Sequence, residues 1–361
     1  MSATFGERLR VTVFGQSHSE AMGAVVDGLP AGLRIDTEHL RAFLARRAPG
    51  QGPLTTARRE PDAPEIIAGL ADGVTCGAPL CILIRNTDAR SRDYETLRRV
   101  VRPSHADYPA YVRFGGHNDI RGGGQFSGRL TAPLCAAGAV ALQCLAARGV
   151  GVYAHIASIA GIKDAAVDPL SPDLPALAAL AAKPLPVLDA CAGEAMAQAV
   201  RDAAADGDSV GGVVECVVTG LPAGVGEPLY DSVESRLAAL LFAVPAVKGV
   251  EFGAGFAAAA LRGSENNDGY TASGGEVRTL SNHSGGICGG LTTGMPVVFR
   301  AAFKPTPSIA RPQRTVALPG PEVTTLTVGG RHDPCVVPRA VPVVEAAAAL
   351  TMYDLLLCAA L

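Results

Sequence analysis

The sequence predicts an α+β chain folded as one intertwined domain, and three observations lead there. Short stretches that alternate or run apolar, such as Arg10–Phe14 and Gly23–Gly28, read as strands. One long segment, Thr131–Arg148, is apolar on nearly all sides and reads as a buried helix. A strand-and-turn motif also recurs: Val25–Leu33 reads VVDGLPAGL and Val217–Val225 reads VVTGLPAGV, with seven of nine positions identical. The repeat is either a common strand-and-turn solution or the mark of two related β modules. No Ser/Gly-rich or charged run separates the halves, so residues 1–361 are expected to form a single domain.

The remaining elements follow in order. Asp36 precedes Leu40, Phe43 and Leu44 at helical spacing and caps a helix to about Arg47. Glu65–Leu70 and Leu80–Arg85 read as strands. From Asn86 to Gly128 the chain is polar, rich in Gly and Arg, and without periodicity; an irregular stretch that long is usually functional. Val152–Ile159 and Val210–Leu221 read as strands, with a helix over Glu194–Ala205 between them. Tyr230–Phe242 reads as a helix ended by Pro245. Gly263–Gly275 is a polar loop with few anchors and is expected to be mobile. Met295–Phe303 and Val323–Val328 read as strands, and a helix from Pro338 to Cys358 closes the chain.

Composition narrows the function classes. Of 361 residues, 48% are hydrophobic and 18% charged, which excludes disorder. The 42 Gly and 26 Pro follow no three-residue period, which excludes collagen. A net charge of −3 argues against a dedicated nucleic-acid binder. Residues 1–150 hold 18 Arg and no Lys against 14 acidic residues. Coding bias accounts for that ratio, or some of these arginines clamp an anion, since the planar guanidinium matches carboxylate and phosphate. The N-terminus lacks the apolar core of a signal peptide. The apolar stretch Ala132–Ala147 is broken by Gln143 and is too short to span a bilayer, so no membrane is expected. Nine scattered Cys make no disulfide framework and suit a reducing cytoplasm. No His–His or Cys–His ligand spacing occurs, so no metal is expected.

Seven polar or glycine-rich clusters stand at the ends of these elements. Gly15–Glu20 (GQSHSE) lacks the last glycine of a hydrolase elbow; within it, His18 is a catalytic group or merely satisfies a buried backbone group. Arg46 and Arg47 either favour a helix C-terminus or meet an anion. Arg102–Tyr108 (RPSHADY) and Arg121–Arg129 (RGGGQFSGR) lie in the long irregular stretch, and three consecutive glycines let backbone approach a ligand closely. Neither the dinucleotide nor the P-loop fingerprint is present. Ser281–Gly290 is a second glycine cluster. Lys304–Ser308 (KPTPS) sets a lysine and two hydroxyls on a proline-stiffened turn suited to a phosphate, and Gly330–Cys335 (GRHDPC) precedes the last helix. Together they favour a site for a polyanionic ligand.

With these motifs assembled, the sequence strongly resembles the chorismate synthase family from about Phe5 to Leu356. The resemblance rests on FGQSHSEAMGAVVDGLPAG, RPSHADY, RGGGQFSGRLTA, PAVKGVEFG, LSNHSGGICGGLTTGMP, FKPTPSI and GRHDPCVVPRAVPVVEA, all in the family's order. It implies a β-α-β sandwich with helices packed between two antiparallel sheets, pseudo-repeated and with long active-site loops. It implies a cytoplasmic, homotetrameric lyase. The reaction implied is the 1,4-trans elimination of phosphate from 5-enolpyruvylshikimate 3-phosphate, the last common step of the shikimate pathway, with reduced FMN as cofactor. By the same resemblance, His18 protonates the departing phosphate, His105 stands beside the flavin, and Asp333, with Ser17 and Ser127, handles the flavin proton. Ser127, Ala246, Gly289, Lys304, Pro305, Thr306, Pro307, Ser308 and Arg331 fall in FMN-binding segments. Arg47, Arg129 and Arg339 bind substrate, or Arg47 a nicotinamide nucleotide. With no separate flavin reductase domain visible, NADPH is expected to act only indirectly, through an external reductase. The chain departs from the family's commoner pattern at Gln16, Ser19, Ser104, Gln125 and Phe126, and at Pro53 or Leu54, where many members carry arginine.

Overall fold

A computed structural model gives the fold and describes residues 3–50, 54–56, 60–87, 96–329 and 332–359. Two five-stranded antiparallel sheets enclose a layer of helices. Sheet I is built from β1 (Thr4–Phe5), β2 (Arg10–Gly15), β3 (Ala21–Asp27), β4 (Pro64–Ala68) and β5 (Leu80–Arg85), in spatial order β1-β2-β3-β5-β4. Sheet II is built from β6 (Gly151–Ile159), β7 (Ile162–Lys163), β8 (Gly212–Thr219), β9 (Val247–Phe252) and β10 (Val297–Phe303), in spatial order β9-β10-β8-β6-β7. The helices are α1 (Thr37–Arg47), α2 (Asp107–Phe114), α3 (Thr131–Ala146), α4 (Leu174–Leu180), α5 (Ala190–Ala205), α6 (Val233–Ala243) and α7 (Val337–Cys358). The α+β sandwich expected from the sequence is the architecture found.

The helical layer explains the small-residue composition. α3 packs on sheet I, α7 on sheet II, and the two pack on each other, flanked by α1 and α6. Their axes approach so closely that a Cβ on Gly138 would lie 2.3 Å from that of Ala346. Each has a window apolar enough to cross a bilayer, but 72% and 89% of those windows are buried between the sheets. They are core helices. One continuous apolar cluster runs from Leu9 to Leu356 through both sheets.

The nine-residue repeat occupies equivalent places. β3 and β8 are the middle strands of their sheets, and each is followed by the Gly-Leu-Pro-Ala-Gly turn. One threonine closes each turn in the same way. Thr75 Oγ1 donates to the Pro30 carbonyl (2.7 Å) and accepts from Leu33 N–H (2.9 Å). Thr292 Oγ1 donates to the Pro222 carbonyl (2.6 Å) and accepts from Val225 N–H (2.9 Å). Of the two readings of the repeat, the related-module one matches this geometry.

Several expectations need correction. The 86–128 stretch contains α2, which has Pro109 in its first turn and ends where Gly115 adopts φ +58°. Its period is hidden because Tyr108 and Val112 are exposed while Asp107 is buried. Residues 263–275 hold a helical turn (Gly263–Asn266) and the first strand of a hairpin, Tyr270–Ser273 with Glu276–Thr279. Asp268 supplies the anchor that the sequence seemed to lack, accepting from Ser281 Oγ (2.6 Å), His283 N–H (2.8 Å) and Ser284 N–H (2.9 Å). The Val323–Val328 strand spans Glu322–Leu326 and pairs with Gln313–Ala317. α4 lies between the Val152–Ile159 and Glu194–Ala205 segments, where no helix was expected.

Candidate active site

A cavity of about 520 Å³ opens where the irregular loops meet the ends of α1, α3, α6 and α7. Among the described residues six basic side chains line it (Arg47, Arg102, Arg129, Lys248, Lys304 and Arg339) against one carboxylate, Asp333. Two of the chain's four lysines are among them. Such a lining selects a multiply charged anion.

The arginines are held from behind. α1 ends at Arg47, and its buried guanidinium donates to Thr131 Oγ1 (3.0 Å), Asp62 Oδ2 (2.7 Å) and the Gly128 carbonyl (2.9 Å). Arg129, at the entry to α3, donates to Asn86 Oδ1 (3.1 Å) and to the other Asp62 oxygen. Although burial works against its charge, Asp62 is held below the usual carboxylate range by Arg47 and Arg129. The second terminal nitrogen of Arg129 is buried and has no hydrogen-bond partner among the described residues; the Glu60 carboxylate lies 3.6 Å away. Burial pulls the Arg129 pKa down, against the opposing pull of Asp62. Arg339, on α7, donates to the Arg47 carbonyl (3.0 Å) and pairs with Asp333 Oδ2 (2.5 Å). Asp333 Oδ1 accepts from Thr56 N–H (2.9 Å).

The triple glycine separates the two predicted histidines. A Cβ on Gly122 would lie 2.4 Å from the His18 ring and from Ser17 Oγ, and one on Gly123 would lie 3.2 Å from His105 Nε2. Only glycine lets both imidazoles close on this backbone. Ser17 N–H donates to the Gly124 carbonyl (3.1 Å), and Ser17 Oγ lies 3.2 Å from His18 Nδ1. Ser127 begins the turn into α3, its hydroxyl accepting from Arg129 N–H (3.3 Å).

On the opposite wall, Lys304 follows β10 and donates to the Ser104 carbonyl (3.0 Å). Burial lowers the Lys304 pKa, and the neighbouring charge of Lys248 adds to the effect. Thr306 Oγ1 is buried without a partner among the described residues. Ser104 adopts φ +56°, a conformation that costs a serine strain and suits the glycine commoner in the family.

The structure thus gathers Arg47, His105, Ser127, Arg129, Ala246, Lys304, Thr306, Pro307, Ser308, Asp333 and Arg339 on one cavity. Ser17 and His18 do not line it; they pack against Gly122, which does. Pro305 is also outside the lining, and Gly289 stands on the two-residue turn joining Ile287–Cys288 to Leu291–Thr292. Arg331 and Pro53 fall outside the described residues, and Leu54 packs against the core. Gln125 and Phe126 line the cavity. Sequence reasoning missed Asp62 and Lys248, and it named His332 only within the GRHDPC cluster. Asp62 gave no signal beyond a charged turn, whereas Lys248 stood in a quoted motif and was one of four lysines. His332 lines the cavity, and its Nε2 donates to the Gly329 carbonyl (3.1 Å); burial lowers its pKa.

Comparison with known proteins agrees with this arrangement. The family model described as chorismate synthase matches residues 9–357. The chorismate synthase of Methanocella arvoryzae is 47% identical over 353 residues, covering 97% of this chain and 93% of that one. That of Aeropyrum pernix is 48% identical over 354 residues, covering 98% and 92%. A crystal structure of chorismate synthase superposes with a TM-score of 0.77 at 27% identity, covering 98% of this chain and 92% of that one. A match over nearly the whole length, on a fold and a polyanion cavity of this kind, places the chain in the chorismate synthase family of carbon–oxygen lyases.

Proposed function

We propose that this cavity is where the chain eliminates phosphate from 5-enolpyruvylshikimate 3-phosphate to form chorismate, with reduced FMN bound alongside the substrate. The observation that carries the reading is a pair of buried polar atoms without a hydrogen-bond partner among the described residues, a terminal nitrogen of Arg129 and Thr306 Oγ1, at a cavity whose described lining holds six basic side chains and one carboxylate. A buried donor left unmade costs about 1–3 kcal/mol, so both atoms fit incoming anions. The substrate has one phosphate and two carboxylates, and the flavin brings another phosphate. Lys304, Thr306 and Ser308 suit the cofactor phosphate, and Arg129 and Arg339 suit the substrate.

Reduced FMN, when bound, supplies transient electron density that helps the bond to phosphate break. The protein's own groups do the rest. Arg129 donates its unpaired N–H groups to the substrate and fixes its orientation. His18, across Gly122, protonates the departing phosphate, and Ser17 holds its ring. His105 presents Nε2 at the cavity wall as a protonatable group, and Ser127 lies within the same turn. Asp333, pinned by Thr56 and Arg339, keeps lone pairs with which to take up the flavin proton, the role that the family resemblance implies.

The chain acts as one unit, without its own flavin reductase, and takes reducing equivalents from an external one; NADPH enters only there. It works in the cytoplasm as a homotetramer. The exposure of Tyr230 (88%), Phe256 (85%) and Leu229 (80%) supports an assembly that covers them. The test is phosphate release under anaerobic conditions. Release with reduced FMN, and none with NADPH and oxidised FMN alone, is expected. FMN binding without release would make the chain a binding protein, and turnover on NADPH alone would refute the external reductant.

A further inference from the structure

Behind His105 lies a buried carboxylate, Asp107, to which the reading above gives no role. Asp107 begins α2, two residues after His105, and its carboxylate is buried. Four donors converge on it. Asp107 Oδ2 accepts from the Arg102 backbone N–H (3.0 Å) and from Arg102 Nε (2.8 Å). Asp107 Oδ1 accepts from the Arg102 terminal nitrogen (2.8 Å) and lies 2.6 Å from His105 Nδ1. Burial opposes its charge, but Arg102 and His105 hold Asp107 well below the usual carboxylate range.

The 2.6 Å contact decides the tautomer of His105. Were the proton on Nε2 alone, the Nδ1 lone pair would face an ionised oxygen at that distance. Such a contact is repulsive, and a short charge-assisted hydrogen bond removes the repulsion. The Arg102 terminal nitrogen is also 3.1 Å from Nδ1, but the nearer carboxylate is the stronger claimant. Nδ1 therefore carries a proton, and Nε2 is the atom that changes protonation state. Nε2 is also the ring atom directed at Gly123 and the cavity.

We propose that Asp107 is a positioning residue for this reaction: backed by Arg102, it fixes the Nδ1–H tautomer and ring orientation of His105, so that Nε2 alone exchanges protons at the cavity. Arg102 is anchored in turn by a contact to Ser308 Oγ (3.4 Å), which ties the device to the Lys304–Ser308 turn. The charged and titratable groups around His105 are Arg102 and Asp107 on its own segment, Lys304 at the Ser104 carbonyl and His332 across the cavity. Among the described residues the side chains in contact with Nδ1 are Asp107 and Arg102, and of these only Asp107 can accept from it. The proposal rests on the reading of His105 as a participating group.

The first measurement is made on the wild-type protein, with its seven histidines labelled with ¹⁵N and the His105 signals assigned by comparison with His105→Gln. The expected result is a neutral His105 in the Nδ1–H form; the Nε2–H form would overturn the proposal. The second is turnover of Asp107→Asn, for which kcat falls about 10²–10⁴-fold. KM stays within about threefold, the acid limb of the pH–rate profile moves to lower pH, and Asp107→Glu restores part of kcat. Wild-type kcat and pH profile in Asp107→Asn would overturn it. His105→Gln separates the two readings: wild-type turnover there refutes the role of His105 itself, whatever the tautomer.

Discussion

Asp62 offers the sharpest test of how the cavity is held. Its carboxylate is fully buried and bridges two buried arginines, Arg47 at 2.7 Å and Arg129 through its other oxygen. Asp62→Asn keeps the volume and one acceptor but removes the charge. Two guanidiniums then face each other across a neutral group. Removing one partner of a buried pair costs about 3–5 kcal/mol. Asn recovers one hydrogen bond to an ionised donor, about 1.5–3 kcal/mol, and its amide N–H₂ opposes the second arginine. We expect a net loss of about 2–4 kcal/mol, read as a fall in the urea midpoint at unchanged slope. The same change frees Arg129 to swing, so KM for the substrate rises about tenfold or more. The pH dependence supplies a sign check. Because the folded pKa of Asp62 is depressed, its contribution is present above the unfolded carboxylate pKa and is lost as pH falls through the folded value. Wild type therefore converges on the variant in acid. A variant within 0.5 kcal/mol of wild type at pH 7 (roughly the spread of neutral surface changes), with unchanged KM, would refute the reasoning.

Further predictions follow from other parts of the molecule. His155, buried between Asp164 (3.3 Å) and Glu215 (3.2 Å), is desolvated, yet those carboxylates push its pKa up to about 9. Its stabilisation is complete below about pH 6.5 and is lost as pH rises through 9; His155→Gln should flatten the stability profile across that window, and an unchanged profile would contradict the assignment. Ser104→Gly should raise stability by up to about 1 kcal/mol by relieving φ +56°, seen as a higher Tm; a lower Tm would show that no strain is stored there. Thr75→Val and Thr292→Val each remove the same pair of turn hydrogen bonds and should cost about 1–3 kcal/mol apiece, equal within error; unequal losses would argue against equivalent modules. His18→Ala and His105→Ala should each lower kcat about 10²–10⁴-fold, and wild-type rates would remove them from the mechanism.

Much of the fold was legible in the sequence because its signals are local. Asp36 caps α1 as its position implied, accepting from Glu38 and His39 N–H. The mostly apolar Thr131–Arg148 segment is a largely buried helix, α3 (Thr131–Ala146). The repeat was visible as letters, but its meaning lay in two threonines 42 and 67 residues along the chain from the residues they bond, a separation that no window detects. The site was legible wherever chemistry and motif coincided, as at His105, Lys304 and Asp333. It was not legible at Asp62, whose importance comes from two arginines brought to it by folding. Nor was it legible that Gly122 and Gly123 stand between two histidines, since that depends on the 15–20 turn packing against a loop a hundred residues later. The loop at 263–275 misled for the same reason: one buried-facing aspartate organises it through long-range backbone contacts.

The central claim is that one cavity, walled by Gly122 on one side and by Lys304, Thr306, Pro307 and Ser308 on the other, holds cofactor and substrate together. A crystal structure of the protein with FMN and 5-enolpyruvylshikimate 3-phosphate tests it most directly. The account predicts both molecules in this cavity, with a substrate anion on the unpaired nitrogen of Arg129 and the cofactor phosphate at Thr306. Either molecule bound elsewhere, with Arg129 and Thr306 still unpartnered, would contradict it.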